Sequence, residues 1–479
     1  MANTKISGNF NLIFNTFLKY LPSRLLVILN SLIIIPFFAY ILTEKEMGIY
    51  QLIICSINLL CTCSTDWITK SSLRFYEKYK LQNKLPKFYS NILIISAITY
   101  LLILVLYFLF SDYISAKFFI PKDLLALTLV LLIPCGLRQF LYQMLRVFNK
   151  PYLYTFSIIV YQFAHLLLFL ALSHVFSNIF AILLSMTIGM LIIDIYIIRK
   201  IQLKSELHFS IEKDLIKETL TYSLPTILTN SGIWLILHID QFLFQKLTLF
   251  NYTAIAGIGA TYTSYLITPI VSTFLFAIFP LIIQRYENKR AIKNLTTRTI
   301  QLYCAMFIPY VSAFVLYSRE ITNTMFGGKY EQVAIIMPFF ALTIFIHELK
   351  KILNIKYHLK NRTYIEMFIT IFTAVICVIL NFKLIPTFHL WGAGIALLSS
   401  VTLLITLHSF VNFKGLTLTH PIKIIRTCSL TILTSVTVFL ILHFGLQNIL
   451  PAQIVIIKPI LYLILTYTIL WNIKNRVLI

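Results

Sequence analysis

Lys19-Tyr-Leu-Pro-Ser-Arg24 leads into eighteen uncharged residues, Leu25-Leu-Val-Ile-Leu-Asn-Ser-Leu-Ile-Ile-Ile-Pro-Phe-Phe-Ala-Tyr-Ile-Leu42, which give way to Thr43-Glu-Lys-Glu-Met-Gly-Ile-Tyr50. Coiled as a helix, a run of that length is about enough to cross the hydrocarbon core of a bilayer. Arg24 stands at one end of it and has two open readings. It is either an interfacial anchor that snorkels to the headgroups after Pro22, or a cation of a charged cavity.

Outward from this stretch, the whole chain has the same character. Its 479 residues are 59% hydrophobic and only 12% charged, with a mean hydropathy of +0.85. A soluble domain carries about 25% charged residues, so this sequence cannot build a water-facing surface of ordinary extent. The apolar runs are long and continuous, whereas the strands of a membrane barrel alternate in runs of about ten residues. The fold class is therefore an all-α integral membrane protein. The net charge of +23, from 40 Lys and Arg against 17 Asp and Glu, is read as basic loops facing anionic lipid and not as a nucleic-acid surface.

About fourteen apolar segments can be drawn, at roughly 12–41, 48–68, 90–111, 123–147, 152–173, 177–198, 218–246, 252–280, 297–318, 331–356, 364–385, 391–412, 421–446 and 450–472. The connections are too short to hold a soluble domain. With a cytoplasmic N-terminus, the outer gaps hold eight of the 40 cations, namely Lys45, Lys117, Lys122, Lys246, Arg319, Lys329, Lys383 and Lys458, and 32 fall at or near the inner side. That asymmetry predicts both termini inside. Lys5 alone precedes the first apolar run and no cleavage site follows a short apolar core, so no removable signal peptide is expected. The seven cysteines have no metal-ligand spacing; Cys55, Cys61 and Cys63 read as small packing residues in one apolar run. Neither a metal nor a cofactor is expected.

The chain also repeats itself. Leu21-Pro-Ser23 returns as Leu224-Pro-Thr226, Gly48-Ile49 as Gly257-Ile258, and Arg74-Phe-Tyr-Glu77 as Arg285-Tyr-Glu287. Phe119-Ile-Pro-Lys122 returns as Phe326-Gly-Gly-Lys329, and Ile182-Leu-Leu-Ser185 as Ala396-Leu-Leu-Ser399. The common order and slowly drifting offset point to a duplicated six-helix unit. Two lobes, 1–200 and 201–415, would flank a substrate path, with two further helices in 416–479, and that is a transporter architecture.

Several stretches carry a resemblance. Pro36, Leu42-Thr-Glu-Lys-Glu-Met-Gly-Ile-Tyr50, Arg74-Phe-Tyr-Glu-Lys78, Tyr222-Ser-Leu-Pro225 and Asp240 are among them. So are Phe326-Gly-Gly-Lys-Tyr330, Asn381-Phe-Lys-Leu-Ile-Pro386 and Trp391-Gly-Ala-Gly-Ile-Ala396. Together they resemble the polysaccharide transporters of the multidrug/oligosaccharidyl-lipid/polysaccharide exporter superfamily. These scaffold motifs cover the first twelve helices, with a departure at Gly257-Ile-Gly-Ala-Thr-Tyr262, where the family usually has a Gly-Ile-Tyr type of start. The resemblance implies a flippase of the cell inner membrane that moves an undecaprenyl-pyrophosphate-linked oligosaccharide, such as an O-antigen or capsule repeat unit of lipopolysaccharide or polysaccharide biosynthesis, to the outer leaflet. It also implies coupling to an ion gradient (H+ or Na+) and a polysaccharide polymerase as a partner.

Such a substrate drags a pyrophosphate and several sugars through hydrocarbon, so a hydrated cationic cavity is needed, and arginine offers phosphate a planar two-donor fork. Arg24 is one candidate. Arg138 lies fifteen residues beyond Asp123, about 22 Å along a helix and so inside the membrane, and it shares a face with Tyr142 and Arg146. In the other half, Glu348 and Lys351 are i, i+3 neighbours, either a self-neutralising pair or, with His347, a coupling-ion site. Asn230, Trp234, His238 and Gln241 form one stripe with Asp240 beside it; Asp240 is either an outer interfacial residue or a gating carboxylate. Asp66 and Asp194 fall near inner helix ends and are expected at the interface, while His165, His408 and His443 are scattered as packing residues.

Two other functions compete. A multidrug or small-solute antiporter fits the architecture but not the cationic candidates. A membrane polymerase or glycosyltransferase would be expected to show a large outer loop or a domain with paired carboxylates, and no phosphate-binding Gly-Lys-Ser/Thr loop for ATP hydrolysis is present.

Overall fold

The computed structural model describes residues 24–66, 75, 78–148, 150–201, 212–284, 289–359, 362–413, 421–445 and 457–477. Among them there is no strand, and twelve helices are long and apolar enough to cross a membrane. The repeat stretches Leu21-Pro-Ser23 and Arg285-Tyr-Glu287, and Arg74, Tyr76 and Glu77 of the third echo, lie outside the described residues.

The opening stretch becomes helix α1, Arg24–Ile41, and helix α2, Glu44–Cys61. What separates them is side-chain chemistry at Thr43. Its hydroxyl accepts from the Glu46 backbone N–H at 3.3 Å, and the Glu46 carboxylate accepts from the Thr43 backbone N–H at 2.9 Å. This reciprocal capping box satisfies two of the donors that a helix start leaves open, a contribution of about 1 kcal/mol. At its far end α2 passes into a π-helical turn, Thr62–Asp66.

Then follow α3 (Leu85–Phe118), α4 (Lys122–Val147), α5 (Pro151–Leu172), α6 (Asn178–Ile201), α7 (Lys213–Lys246) and α8 (Phe250–Gln284). Next come α9 (Lys289–Leu316), a short α10 (Ser318–Phe326), α11 (Val333–Leu359), α12 (Thr363–Phe413), α13 (Pro421–Gly445) and α14 (Ile457–Val477). The chain forms two compact units, one of residues 38–257 with 361–375, the other of residues 1–37, 258–360 and 376–479. In the first, α6 packs on α4 and α5, α2 packs on α4 and α7, and α3 packs on α4 and α7. Helix α3 is the most lipid-like element there, with Leu101, Phe108 and Leu109 all more than 60% exposed. In the same unit, a Cβ at Gly257 would come within 2.5 Å of the Gln51 side chain, so only glycine permits that approach of α8 to α2.

In the second unit α9 is central, packed by α11, α13 and α14. Ala313, Tyr317, Val438, Leu442 and Tyr462 form one of its cores. The two apolar runs at 364–385 and 391–412 emerge as α12, interrupted at His389, which has φ 48° and ψ −120°. Pro386 removes a donor from the ladder just before that turn, and the chain folds back so tightly that a Cβ on Gly392 would collide with the Leu384 carbonyl.

Candidate functional site

Helix α4 carries Arg138 nine residues short of its end, and α6 carries Asp194 seven short of its own. The packing of α6 on α4 joins them. Arg138 Nε donates to Asp194 Oδ1 at 3.3 Å, with the arginine 7% exposed and the aspartate fully buried. Asp194, whose place near a helix end predicts the membrane interface, is buried inside the protein; the buried guanidinium supplies the counter-charge that lets a carboxylate sit there.

Aromatic rings complete the cage. The Arg138 Cζ lies 4.0 Å from the centre of the Tyr161 ring on α5 and 6.0 Å from that of Tyr142. His165 stacks on Tyr161 at 5.9 Å and 5° and meets Phe38 edge-on at 5.9 Å. Arg138 Nη1 and Nη2 and Asp194 Oδ2 are buried with no hydrogen-bond partner among the described residues. Such groups cost free energy unless something polar reaches them.

Further along α4, Arg146 Nη2 donates to the Tyr154 hydroxyl at 3.4 Å and lies 5.4 Å from that ring, while Tyr142 and Tyr154 have ring centres 5.0 Å apart. Arg138, Tyr142 and Arg146 thus share one cationic and aromatic surface of α4 with Tyr154 and Tyr161 of α5. Arg24 belongs to the other compact unit and is half-buried at the start of α1.

The α7 stripe is a hydrogen-bonded seam against α2. Trp234 Nε1 donates to the Cys55 carbonyl at 3.0 Å, Cys55 Sγ donates to Gln241 Oε1 at 3.3 Å, and Gln241 Nε2 is 3.3 Å from His238 Nδ1. Cys55 is thus a bonded member of the seam as well as a packing residue. Asp240 is 6% exposed, and its Oδ1 has no hydrogen-bond partner among the described residues. In the second unit, Glu348 is 2% exposed and receives a hydrogen bond from Lys351 Nζ, with His347 Nδ1 3.6 Å away. Among the described residues no three His, Cys, Asp or Glu side chains converge as metal ligands would.

An ionic bracket at the start of α7 was not read from the sequence. Glu218 binds Lys78 and accepts from the Tyr79 hydroxyl at 2.7 Å; Glu212 pairs with Lys87 at 2.7 Å and Lys84 at 3.8 Å. The Lys87 hydrogen bond, then the charges of Lys87 and Lys84, hold the Glu212 carboxyl below the usual glutamate value. Burial, reinforced by the bond to Glu218, pushes the Tyr79 hydroxyl up. No motif marks these partners, which lie more than 120 residues apart.

The sequence profile of a family described as polysaccharide biosynthesis protein matches residues 16–285. No curated protein sequence matches the chain. Among solved structures, lipid II flippase MurJ in an inward closed conformation superposes with a TM-score of 0.69 at 15% identity, covering 96% of this chain and 98% of that one. A multidrug resistance MATE family transporter of the MOP superfamily, in its inward-facing conformation, gives 0.58 at 13% identity, over 85% and 94%. A MOP superfamily transporter from Pyrococcus furiosus, described as having a binding pocket of reverse polarity, gives 0.54 at 10% identity, over 84% and 95%. At these identities the likeness establishes a shared transporter fold.

Proposed function

The chain belongs to the polysaccharide biosynthesis protein family, and from that premise we propose that it is a flippase for an undecaprenyl-pyrophosphate-linked oligosaccharide, an O-antigen or capsule repeat unit, in the cell inner membrane. The observation that carries the reading is the buried Arg138, whose terminal nitrogens find no hydrogen-bond partner among the described residues of an apolar, multi-pass fold. A guanidinium so placed suits an oxyanion that must leave water, and Tyr142 and Arg146 extend the same surface toward sugars and phosphate. Arg24 is assigned to the same anionic head.

Transport is by alternating access of the two six-helix halves, 1–200 and 201–415, within about fourteen spans and with both termini cytoplasmic. An H+ or Na+ gradient drives it, with Asp240 beside His238 and Glu348 beside Lys351 as the candidate coupling or gating carboxylates. A polysaccharide polymerase would receive the flipped unit. Deleting the gene should leave lipid-linked repeat units on the cytoplasmic leaflet. Normal polysaccharide export with altered drug tolerance would instead favour the multidrug-antiporter reading, which the fold shared with a multidrug resistance transporter supports.

A further inference from the structure

The contact between Arg138 and Asp194 uses only one edge of the guanidinium. Nε is engaged at 3.3 Å, while Nη1 and Nη2, the edge that matches two phosphate oxygens, are buried with no hydrogen-bond partner among the described residues. Tyr161, 4.0 Å below the guanidinium, backs the plane, so the fork cannot rotate freely. The side chain is held by its shaft, with its two-pronged end buried and without a hydrogen-bond acceptor among the described residues.

Charge supplies the second half. At rest the pair is neutral. The titratable groups that face it among the described residues are Cys135 and Tyr142 of α4 and Tyr161 and His165 of α5, with no lysine or second arginine among them. An oxyanion on that fork would face a buried carboxylate across the same guanidinium, two negative charges against one positive in an interior where uncompensated charge is costly. The excess is relieved when a proton from water binds Asp194.

We propose that Asp194 is the positioning residue of an oxyanion site at Arg138 and takes up a proton when a pyrophosphate group binds, so that anion and proton occupy one ion pair together. In this exchange Nη1–H and Nη2–H donate to two phosphate oxygens, the Asp194 carboxylate becomes a carboxylic acid, and no covalent bond other than its new O–H forms. This deepens the flippase reading and rests on it.

The test is calorimetric titration of the purified full-length chain in detergent with farnesyl diphosphate, run in two buffers of different ionisation enthalpy. The wild type should take up about one proton per bound probe more than Asp194→Asn, and its affinity should weaken by about tenfold per rising pH unit relative to that variant. Asparagine keeps an oxygen for Arg138 Nε, so Asp194→Asn should bind the probe at least as tightly near neutral pH. Equal proton uptake by the two proteins overturns the proposal. Should Asp194→Asn fail to fold, Asp194→Glu must retain the proton uptake, and loss of uptake with binding intact overturns it as well. No binding of the probe by the folded wild type sinks the anion site and the reading beneath it, an outcome distinct from binding without the proton. Inorganic pyrophosphate in parallel separates the sources: either probe set supports the site, and binding of the inorganic ion shows that the prenyl chain is dispensable.

Discussion

At Arg138 a full positive charge is kept in the protein interior by one carboxylate and a ring face. Removing one member of a buried pair leaves the other uncompensated, a loss of about 3–5 kcal/mol in typical cases. Replacing the guanidinium by an ammonium keeps the charge but discards the fork. Arg138→Ala should therefore impair export more than Arg138→Lys, as read from lipid-linked units accumulating in a strain that carries each variant. Equal and normal export by both would remove Arg138 from the site. Asp240, equally buried but with an oxygen that finds no partner among the described residues, has no such arginine or lysine counter-ion among the described residues of the α7 seam.

At the scale of elements, two devices hold helix ends. The Glu212 bracket ties the start of α7 to Lys84 and Lys87. Its carboxyl is held low by those lysines, so the stabilisation is complete above the ordinary glutamate value of about 4.3. It is lost as pH falls through the lower value of the folded protein. The hydrogen-exchange protection factors at Lys213 to Ile216, taken relative to intrinsic rates at each pH, should fall only in that acid range for the wild type, and should already be lower and independent of pH in Glu212→Gln. The other device is the fold-back of α12. Because a Cβ at Gly392 meets backbone, which cannot swing aside, Gly392→Ala should lower the unfolding temperature of the detergent-solubilised protein. A loss of about 1–3 kcal/mol is the usual cost of such overpacking. An unchanged melting curve would show that the turn relaxes.

Across the whole molecule, the placement of cations makes its own prediction. In a cysteine-free background, Lys122→Cys and Lys329→Cys should react with an impermeant maleimide added to intact cells, and Lys217→Cys only after permeabilisation; the reverse pattern would invert the topology. The membrane class and the places of the long helices were legible because eighteen or more apolar residues in a row leave the backbone no alternative to internal hydrogen bonding in lipid. The Thr43–Glu46 cap was written in the same local code. The break in α12 was legible only as a polar gap around Lys383, Pro386 and His389, since its sharpness depends on Gly392 passing the Leu384 carbonyl. Counting residues puts Arg138 deep in a long apolar helix, and helical spacing gives its face with Tyr142 and Arg146. That its charge is matched by Asp194, backed by Tyr161 and left with two terminal nitrogens unpaired among the described residues came only from the packing of α4, α5 and α6. Local sequence governs hydrogen bonding within a helix, whereas the partner of a buried charge is chosen by which helix faces it, and these two stand 56 residues apart in the chain.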